Sequence, residues 1–506
     1  MTFLLARSKL RWIIIAALLI TQAACAIAQP EGDRAKSSIP LKDCQLAAPG
    51  LPTRVEAQCG SLAVPEDRAN PAGRQITLNI AVIPAVSRRP APDPLFFLSG
   101  GPGQAATETY PQLAFALDEI NRKRDIVLVD QRGTGKSNPL HCPPSEGETD
   151  FGDLSSEALN ALRERLIKEC LVELEKKADL RFYTTTIAMA DLDAVRAALG
   201  YDQINLYGVS YGTRAALTFL QQYPQHTRAV ILDGVAPQDW DIGLYFARDG
   251  QRALDLIFER CATDAACHSA FPNIRAEFDE LLTALDATPV KLSLPHPVTG
   301  KLTDLTLTRE TVVGSVRLMS YATESVTLLP LLIHTAQADH DYHPLAAQAL
   351  QATGDVGEAI SDGLQYTVLC AEDIHFTHTE AGQANAGSYV GDLVTDILLQ
   401  ACARWPAGDV PASFKAPVTS DAPVLLLSGE ADPVTPPANA ERAAQTLPNS
   451  LHLVASGQGH NVIFRGCLPR IAKDFLEQGS IKDLDTACAQ NIKAPPFFVD
   501  FTGPKP

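Results

Sequence analysis

The stretch INLYGVSYGTRAALTFLQQY, residues 204–223, joins two local patterns through a turn of small residues. Residues 204–209 form a short, mainly apolar run with β-branched and aromatic side chains, which is typical of a buried strand. Ser210 follows, and a helical pattern begins directly after it. A sharp strand-to-helix turn needs Gly on both sides because the backbone is crowded, and it lifts the serine Oγ above the sheet. The stretch therefore predicts a nucleophilic Ser210, with an ordinary tight turn as the alternative.

Short apolar runs of the same kind recur on both sides of this turn. Most end in Gly or Asp, and helical patterns separate them, which predicts a mainly parallel, doubly wound α/β sheet. Residues 240–415 depart from this alternation, because they are mostly helical patterns with one polar β-like segment. We expect them to form a lid inserted late in the strand order, over the sheet edge where open α/β sheets bind ligands. The runs that predict strands are 75–86, 94–100, 125–133, 204–212, 229–234, 422–430 and 450–457.

The first 28 residues have the pattern of an export signal. Basic residues precede the apolar run 12–20, and the small-x-small sequence Ala-Ile-Ala follows at 26–28. That run is too short to span a bilayer, and no later apolar run reaches the length of about 18 residues that a span needs. The alternative is a lipoprotein box with Cys25 lipidated, but Gln22 stands where such boxes usually carry Leu. We predict an exported protein, periplasmic or secreted, without an integral membrane span.

The remaining chain divides into three predicted parts. Residues 29–239 are the first part of the α/β core, 240–415 the helical lid, and 416–506 the second part of the core. Within the first part, residues 29–70 are rich in Pro, Gly and small polar residues, so we expect an irregular arm there.

Charge and cysteine content limit the function classes. The formal net charge of −17 argues against nucleic acid as a partner, because nucleic-acid binding needs a basic footprint. Ten of the 11 cysteines follow the predicted leader, an even number that fits disulfides in an oxidising compartment. A metal site is the competing interpretation, but no C-x-x-C pair supports it. The simplest connectivity pairs neighbours, namely Cys44 with Cys59, Cys142 with Cys170, Cys261 with Cys267, Cys370 with Cys402 and Cys467 with Cys488.

A serine nucleophile needs a base, and the base needs an orienting carboxylate. After a nucleophile elbow of this type the acid and then the histidine follow in the chain, each at the carboxyl end of a strand. Asp432 follows the predicted strand VLLLSGE, and His460 lies in the Gly-rich loop after LHLVASG. We predict that Asp432 holds Nδ1–H of His460, leaving Nε2 to take the proton of Ser210. A surface loop histidine is the alternative for His460.

The sequence also predicts an oxyanion hole made of two backbone donors. The Gly-rich turn FFLSGGPGQ, residues 96–104, lets backbone amides approach a substrate closely. We assign the N–H groups of Gly101 in this turn and of Tyr211 at the elbow, with a plain turn as the alternative for Gly101.

Five motifs together resemble one known family. The prolyl aminopeptidase and tripeptidyl aminopeptidase family of α/β hydrolases carries similar sequences over residues 75–490, although its usual first loop is His-Gly-Gly-Pro-Gly and Ser99 stands at the His position here. The paired cysteines and export signal resemble the secreted tripeptidyl branch. The motifs are SGGPG (99–103), DQRGTGKS (130–137), GVSYGT (208–213), GEADPVTP (429–436) and GQGH (457–460).

This resemblance implies the α/β-hydrolase fold and a function. It implies a secreted serine aminopeptidase, prolyl or tripeptidyl in type, that cleaves peptides near a free N-terminus through an acyl-enzyme, without metal or cofactor. Acidic lid residues hold the substrate amine in the resembled family, which points to Glu372 and then Asp373, with two solvated lid charges as the alternative. A carboxylesterase with the same triad and an inactive binding protein with the same fold are the competing functions.

Overall fold

The computed structural model describes residues 37–48, 52–143, 156–357, 360–376, 385, 387–408 and 410–504. The predicted signal peptide, residues 1–28, and the alternative lipidation site Cys25 lie outside the described residues. The strands are β1 (Lys42–Ala47), β2 (Arg54–Pro65), β3 (Gln75–Ile83), β4 (Leu95–Leu98), β5 (Ile126–Val129), β6 (Ile204–Val209), β7 (Thr227–Asp233), β8 (Val290–Pro295), β9 (Leu302–Leu307), β10 (Val424–Gly429) and β11 (Ser450–Ala455).

The α-helices alternate with these strands in the core and dominate the segment between β7 and β10. They are α1 (Ala106–Asn121), α2 (Ser156–Glu175), α3 (Thr185–Ala198), α4 (Tyr211–Gln222), α5 (Phe246–Thr263), α6 (Ala265–Ala270), α7 (Ile274–Ala287), α8 (Arg309–Met319), α9 (Thr323–Val326), α10 (Leu329–Gln337), α11 (His343–Gly357), α12 (Asp362–Glu372), α13 (Leu393–Cys402), α14 (Pro437–Ala444) and α15 (Leu468–Gln478).

Nine strands form one sheet in the order β1-β2-β3-β5-β4-β6-β7-β10-β11. The pairs β1–β2, β2–β3 and β3–β5 are antiparallel, and every pair from β5 to β11 is parallel. All seven predicted strands are present in it, with ends that differ by a few residues. The prediction of a mainly parallel, doubly wound sheet is confirmed.

The central strands are apolar along their whole length because helices cover both faces of the sheet. On one face, Met189 of α3 and Phe219 of α4 belong to the buried cluster. On the other face, Leu117 of α1 and Phe475 of α15 do. Every residue of β4, β5, β6 and β10 is buried. The sheet is therefore a rigid support for the loops at its carboxyl edge.

The expectation of an irregular arm at residues 29–70 is wrong over the described part of that range. β1 and β2 form an antiparallel hairpin that extends the sheet at one edge, and the Cys44–Cys59 disulfide links the two strands. Most side chains of this hairpin are exposed or half-buried. Edge strands that bury little need no apolar alternation, so the sequence pattern that identifies buried strands is missing.

Residues 240–415 fold mainly as helices, as predicted, and have a hydrophobic cluster of their own. Phe258, Phe278, Leu281 and Val313 are among its buried members. The predicted β-like segment is β9, which pairs with β8 in a separate antiparallel hairpin. This segment leaves the sheet after β7 and returns to it at β10. Within the described part of the chain, no helix has the length and apolarity that crossing a membrane needs.

The five predicted disulfides are all formed between neighbouring cysteines. Their Cα–Cα distances range from 4.8 to 6.4 Å, within the range of unstrained bridges. The sequential connectivity is therefore confirmed.

Candidate active site

Ser210 is the single residue between β6 and α4. Its φ of 56° places a non-glycine residue in the left-handed region, which a strand-to-helix turn of this sharpness requires. A Cβ on Gly208 would lie 2.3 Å from the carbonyl oxygen of Gly212, and a Cβ on Gly212 would lie 2.1 Å from that of Leu98. Only glycine fits at either position, because backbone atoms occupy the space of a side chain. The predicted sharp strand-to-helix turn is therefore present, and the role of Ser210 as nucleophile stays a prediction.

Hydrogen bonds on both sides hold the elbow in this conformation. The N–H of Ser210 donates to the carbonyl of Asp233 at the end of β7, at 2.9 Å. The hydroxyl of Thr213 donates to the carbonyl of Ser210 at 2.6 Å and accepts the N–H of Ala236 at 2.8 Å. The backbone strain at Ser210 is thus supported by the neighbouring strand and the first turn of α4.

His460 and Asp432 lie together at the carboxyl ends of the last two strands. Nδ1 of His460 is 2.8 Å from Oδ2 of Asp432. The other carboxylate oxygen accepts the N–H groups of Val434 and Thr435, both at 2.8 Å. Burial alone raises the pKa of Asp432, but His460 and these backbone donors outweigh it and hold the pKa below its ordinary value. Asp432 is therefore an anion in contact with Nδ1 of the histidine ring. That Nε2 acts as the base for Ser210 stays a prediction.

The loop that carries His460 is attached to the lid and to the sheet. The backbone N–H of His460 donates to the carbonyl of Tyr321 at 2.8 Å. The rings of His460 and Tyr321 pack edge to face, with their centroids 5.2 Å apart. The carboxylate of Asp233 accepts the N–H groups of Val462 and Ile463 at 2.9 to 3.0 Å. Burial raises the pKa of Asp233 to about 6 despite these hydrogen bonds. Tyr321 and Asp233 thus position the histidine, and no sequence motif identified either of them.

Ser210 and His460 line the same cavity, which has a volume of about 480 Å³. The sheet loops and the lid contribute jointly to its wall, as the predicted insertion point requires. Apolar side chains from the lid side include Trp240, Ile242 and Phe246. The polar lining residues include Gln104, Gln348, Gln351, Gln365, Arg317, Ser325, Thr435 and Asn461. None of the described residues that line this cavity is acidic.

The two predicted oxyanion donors also border the cavity. Tyr211 is the first residue of α4, so its N–H has no acceptor within the helix. Gly101 has a φ of 108°, and a Cβ there would lie 2.6 Å from the N of Gly103. Both residues line the cavity that Ser210 lines, which a pair of oxyanion donors requires. Their role stays a prediction.

Glu372 and Asp373 are not among the residues that line the cavity. Both are fully buried. The carboxylate of Glu372 accepts the N–H of Thr185 at 2.6 Å and its hydroxyl at 2.8 Å, and burial raises the pKa of Glu372 to about 7. Asp373 forms a buried ion pair with Arg214 at 2.9 Å and contacts Lys415 at 2.8 Å. The structure therefore does not bring the two carboxylates to a position where they contact a substrate ammonium.

Sequence reasoning did not single out Arg317 or the four glutamines of the cavity wall. Arg317 is a charged residue in an amphipathic helical pattern, which reads as a solvated helix face. Three of the glutamines, Gln348, Gln351 and Gln365, come from α11 and α12, where a polar residue every third or fourth position looks equally ordinary. No signal in the sequence could separate them from surface residues, because the lid packing decides which helix face meets the cavity.

Comparison with known proteins supplies two family matches. A family model described as "alpha/beta hydrolase fold" matches residues 93–256, and a second model, described as "TAP-like protein", matches residues 388–488. The first covers the elbow and the Gly-rich turn, and the second covers Asp432 and His460.

Several curated proteins are similar over nearly the whole chain. Serine protease Hip1 of Mycobacterium tuberculosis is 26% identical, and the similarity covers 96% of this chain and 98% of that protein. Tripeptidyl aminopeptidase of Streptomyces coelicolor is 25% identical, with coverage of 91% and 88%. Carboxylesterase B of Mycobacterium tuberculosis is 26% identical, with coverage of 86% of each chain. Peptidases and an esterase are thus found at similar levels of identity.

Proposed function

We propose that this chain, which resembles the α/β-hydrolase fold over residues 93–256 and TAP-like proteins over residues 388–488, is an exported serine peptidase that cleaves peptides near a free N-terminus. The observation that carries the hydrolytic part is the elbow serine in one cavity with a histidine that a buried carboxylate orients. The peptidase type rests on the relatives, since the triad alone also serves esterases. The five disulfides and the predicted leader support export.

The geometry supports an acyl-enzyme mechanism. Ser210 Oγ attacks the scissile carbonyl carbon while Nε2 of His460 takes its proton, and Asp432 stabilises the resulting imidazolium. The N–H groups of Gly101 and Tyr211 receive the carbonyl oxygen as it becomes an oxyanion. The imidazolium then protonates the amine leaving group, and an acyl-enzyme remains on Ser210. Water, deprotonated by His460, hydrolyses this ester and restores the serine.

A free substrate amine has suitable acceptors in the cavity, although they are not the carboxylates expected from the sequence. The side-chain amides of Gln104, Gln348, Gln351 and Gln365 have no hydrogen-bond partners among the described residues, and amide oxygens accept hydrogen bonds from ammonium groups. Glu372 would have to break its hydrogen bonds with Thr185 before it could bind the substrate ammonium. We therefore propose that amide oxygens on this wall receive the ammonium.

Two comparisons test the proposal. The wild type should cleave a free-amine tripeptide substrate about 10-fold or more faster, in kcat/KM, than its N-acetylated form, because acetylation removes a charge-assisted hydrogen bond. Ser210→Ala should abolish turnover and fluorophosphonate labelling while leaving the melting temperature near that of the wild type. Equal cleavage of both peptides would favour the esterase or an endopeptidase, and activity in the Ala variant would refute Ser210 as nucleophile.

The variant Glu372→Gln decides between the two amine sites. If Glu372 contacts the ammonium directly, the variant loses the preference for free amines and keeps its activity on a small neutral ester. The buried arrangement with Thr185 predicts instead that the preference is retained, because the carboxylate is not on the cavity wall.

A further inference from the structure

Arg317 is the only arginine or lysine among the described residues that line the catalytic cavity. It lies in the last turn of α8, one helical turn before Tyr321, whose carbonyl holds the backbone of His460. The lid therefore places a permanent positive charge close to the catalytic histidine.

The guanidinium lies over two aromatic rings and is not paired with a carboxylate among the described residues. Its Cζ is 4.5 Å from the ring centroid of Phe246 and 5.4 Å from that of Tyr321. One nitrogen, Nη2, donates to the hydroxyl of Tyr321 at 3.1 Å. Nε is buried without an acceptor, and Nη1 has no acceptor among the described residues. Stacking and a single hydrogen bond fix the orientation of the group and leave most of its donors open.

The fully buried arginines among the described residues have a carboxylate partner, whereas Arg317 and Arg260, which are half-buried, have none within ion-pair distance. Arg132 pairs with Asp191 at 2.6 Å, and Arg214 pairs with Asp373 at 2.9 Å. No described carboxylate lies within ion-pair distance of Arg317, and no described acidic residue lines its cavity. Partial removal of a cation from water without a counterion is unfavourable. A ligand with an anionic group would therefore bind favourably beside Arg317.

We propose that Arg317 is a specificity-determining residue that binds a carboxylate of the substrate. Guanidinium presents donors in a planar fork that matches a carboxylate, and aromatic stacking leaves the edge of the fork free for it. The proposal rests on hydrolysis at Ser210 and does not depend on recognition of a free N-terminus.

The position of Arg317 limits how far this carboxylate lies from the reacting bond. The ring of Tyr321 is 5.2 Å from the ring of His460 and 5.4 Å from Cζ of Arg317. The sum of these two distances is about the length of three residues of extended peptide. The carboxylate is therefore either an acidic side chain within that distance of the scissile bond or the C-terminus of a short peptide.

Matched substrates separate these two sources. One pair of peptides differs only in a C-terminal carboxylate or carboxamide, and a second pair differs only in Glu or Gln near the scissile bond. We expect the wild type to prefer the carboxylate member of at least one pair by about 10-fold in kcat/KM, mainly through a lower KM. The pair that shows the preference identifies the source. A third pair, two activated esters with a distal carboxylate or its amide, tests the same contact without peptide cleavage.

The variant Arg317→Gln should reduce this preference to near unity, while Arg317→Lys should keep part of it because the charge remains. A purely structural role would lower kcat/KM equally for both members of a pair, so the ratio separates the two roles. Arg275→Gln is the matched control, since Arg275 also stacks on an aromatic ring, that of Phe258, but lies outside the cavity.

No carboxylate preference in the wild type on any of the three pairs would overturn the proposal, and so would an unchanged preference in Arg317→Gln. Loss of the free-amine preference alone would contradict the proposed function and leave the role of Arg317 intact. If Arg317→Gln does not fold, the wild-type ratios and Arg317→Lys still decide the question.

Discussion

At the residue scale, the site depends on a few side chains whose surroundings control their charge. Asp432 is an anion because His460 and two backbone N–H groups outweigh its burial. Glu372 has a comparable number of donors, but no histidine beside it, and its pKa is raised to about 7. The two carboxylates thus differ in their contacts. Asp432 contacts the ring of His460, the predicted base, whereas Glu372 joins the elbow to the lid through Thr185, whose hydroxyl also contacts that of Tyr211 at 2.6 Å.

The raised pKa of Glu372 makes a prediction about stability and pH. The folded state binds the carboxyl proton of Glu372 more tightly than the unfolded state does. The resulting contribution to the free energy of unfolding is therefore complete below pH 4.5 and is lost as the pH rises through about 7. Glu372→Gln cannot titrate. The free energy of unfolding of the wild type relative to this variant should therefore fall between pH 4.5 and 7.5, by an amount on the order of 2–3 kcal/mol. Denaturant unfolding at several pH values measures it, and parallel curves for both proteins would contradict the prediction.

At the scale of elements, the β6–α4 junction and the lid helix α8 differ in how much space they leave for a side chain at a glycine position. Gly212, in the first turn of α4, faces the carbonyl of Leu98 so closely that no side chain fits. Gly314, inside α8, has open space around the position of a Cβ. Both are helical glycines, and only the packing of the element distinguishes them.

This contrast predicts opposite effects of the same substitution. Gly212→Ala forces β4 and α4 apart and displaces Ser210, so we expect a lower melting temperature and a loss of activity of at least about 100-fold. Gly314→Ala should raise the stability by roughly 0.5–1 kcal/mol, because alanine costs less backbone entropy in a helix interior. Thermal unfolding and turnover of the two variants test this, and a neutral Gly212→Ala would contradict the crowding described at the elbow.

At the scale of the whole molecule, covalent bridges reinforce both the core and the lid. The Cys370–Cys402 bridge joins α12 to the end of α13, with a sequence separation of 32. The Cys261–Cys267 bridge joins α5 to α6 with a separation of only 6. A longer closed loop restricts the unfolded chain more, so the first bridge should stabilise the fold more than the second.

Pairwise replacement of the cysteines by alanine tests this ranking. The loop lengths predict losses of roughly 3.5–4 kcal/mol for the Cys370/Cys402 pair and roughly 2 kcal/mol for the Cys261/Cys267 pair. Melting temperatures of the two double variants give the comparison. A larger loss for the shorter loop would mean that native packing around Cys261 and Cys267, both fully buried, outweighs the entropy of the unfolded chain.

The sequence by itself determined the features that local patterns encode. Continuous apolar runs identified the central strands because both of their faces are covered, and the glycines around Ser210 identified the elbow because backbone crowding excludes other residues. The order of Ser210, Asp432 and His460 predicts a triad, and the structure places each of them after a strand of one sheet. Neighbouring cysteines gave the disulfides because every bridge spans a short separation.

Only the tertiary structure decided which other side chains meet the catalytic cavity. Glu372 and Asp373 looked like ligands for a substrate amine, but helix packing turns them toward Thr185 and Arg214. Arg317 looked like a solvated charge, but the lid directs it into the cavity without a carboxylate partner among the described residues. The physical reason is that periodicity defines the faces of a helix, whereas the contact of each face depends on how distant elements pack.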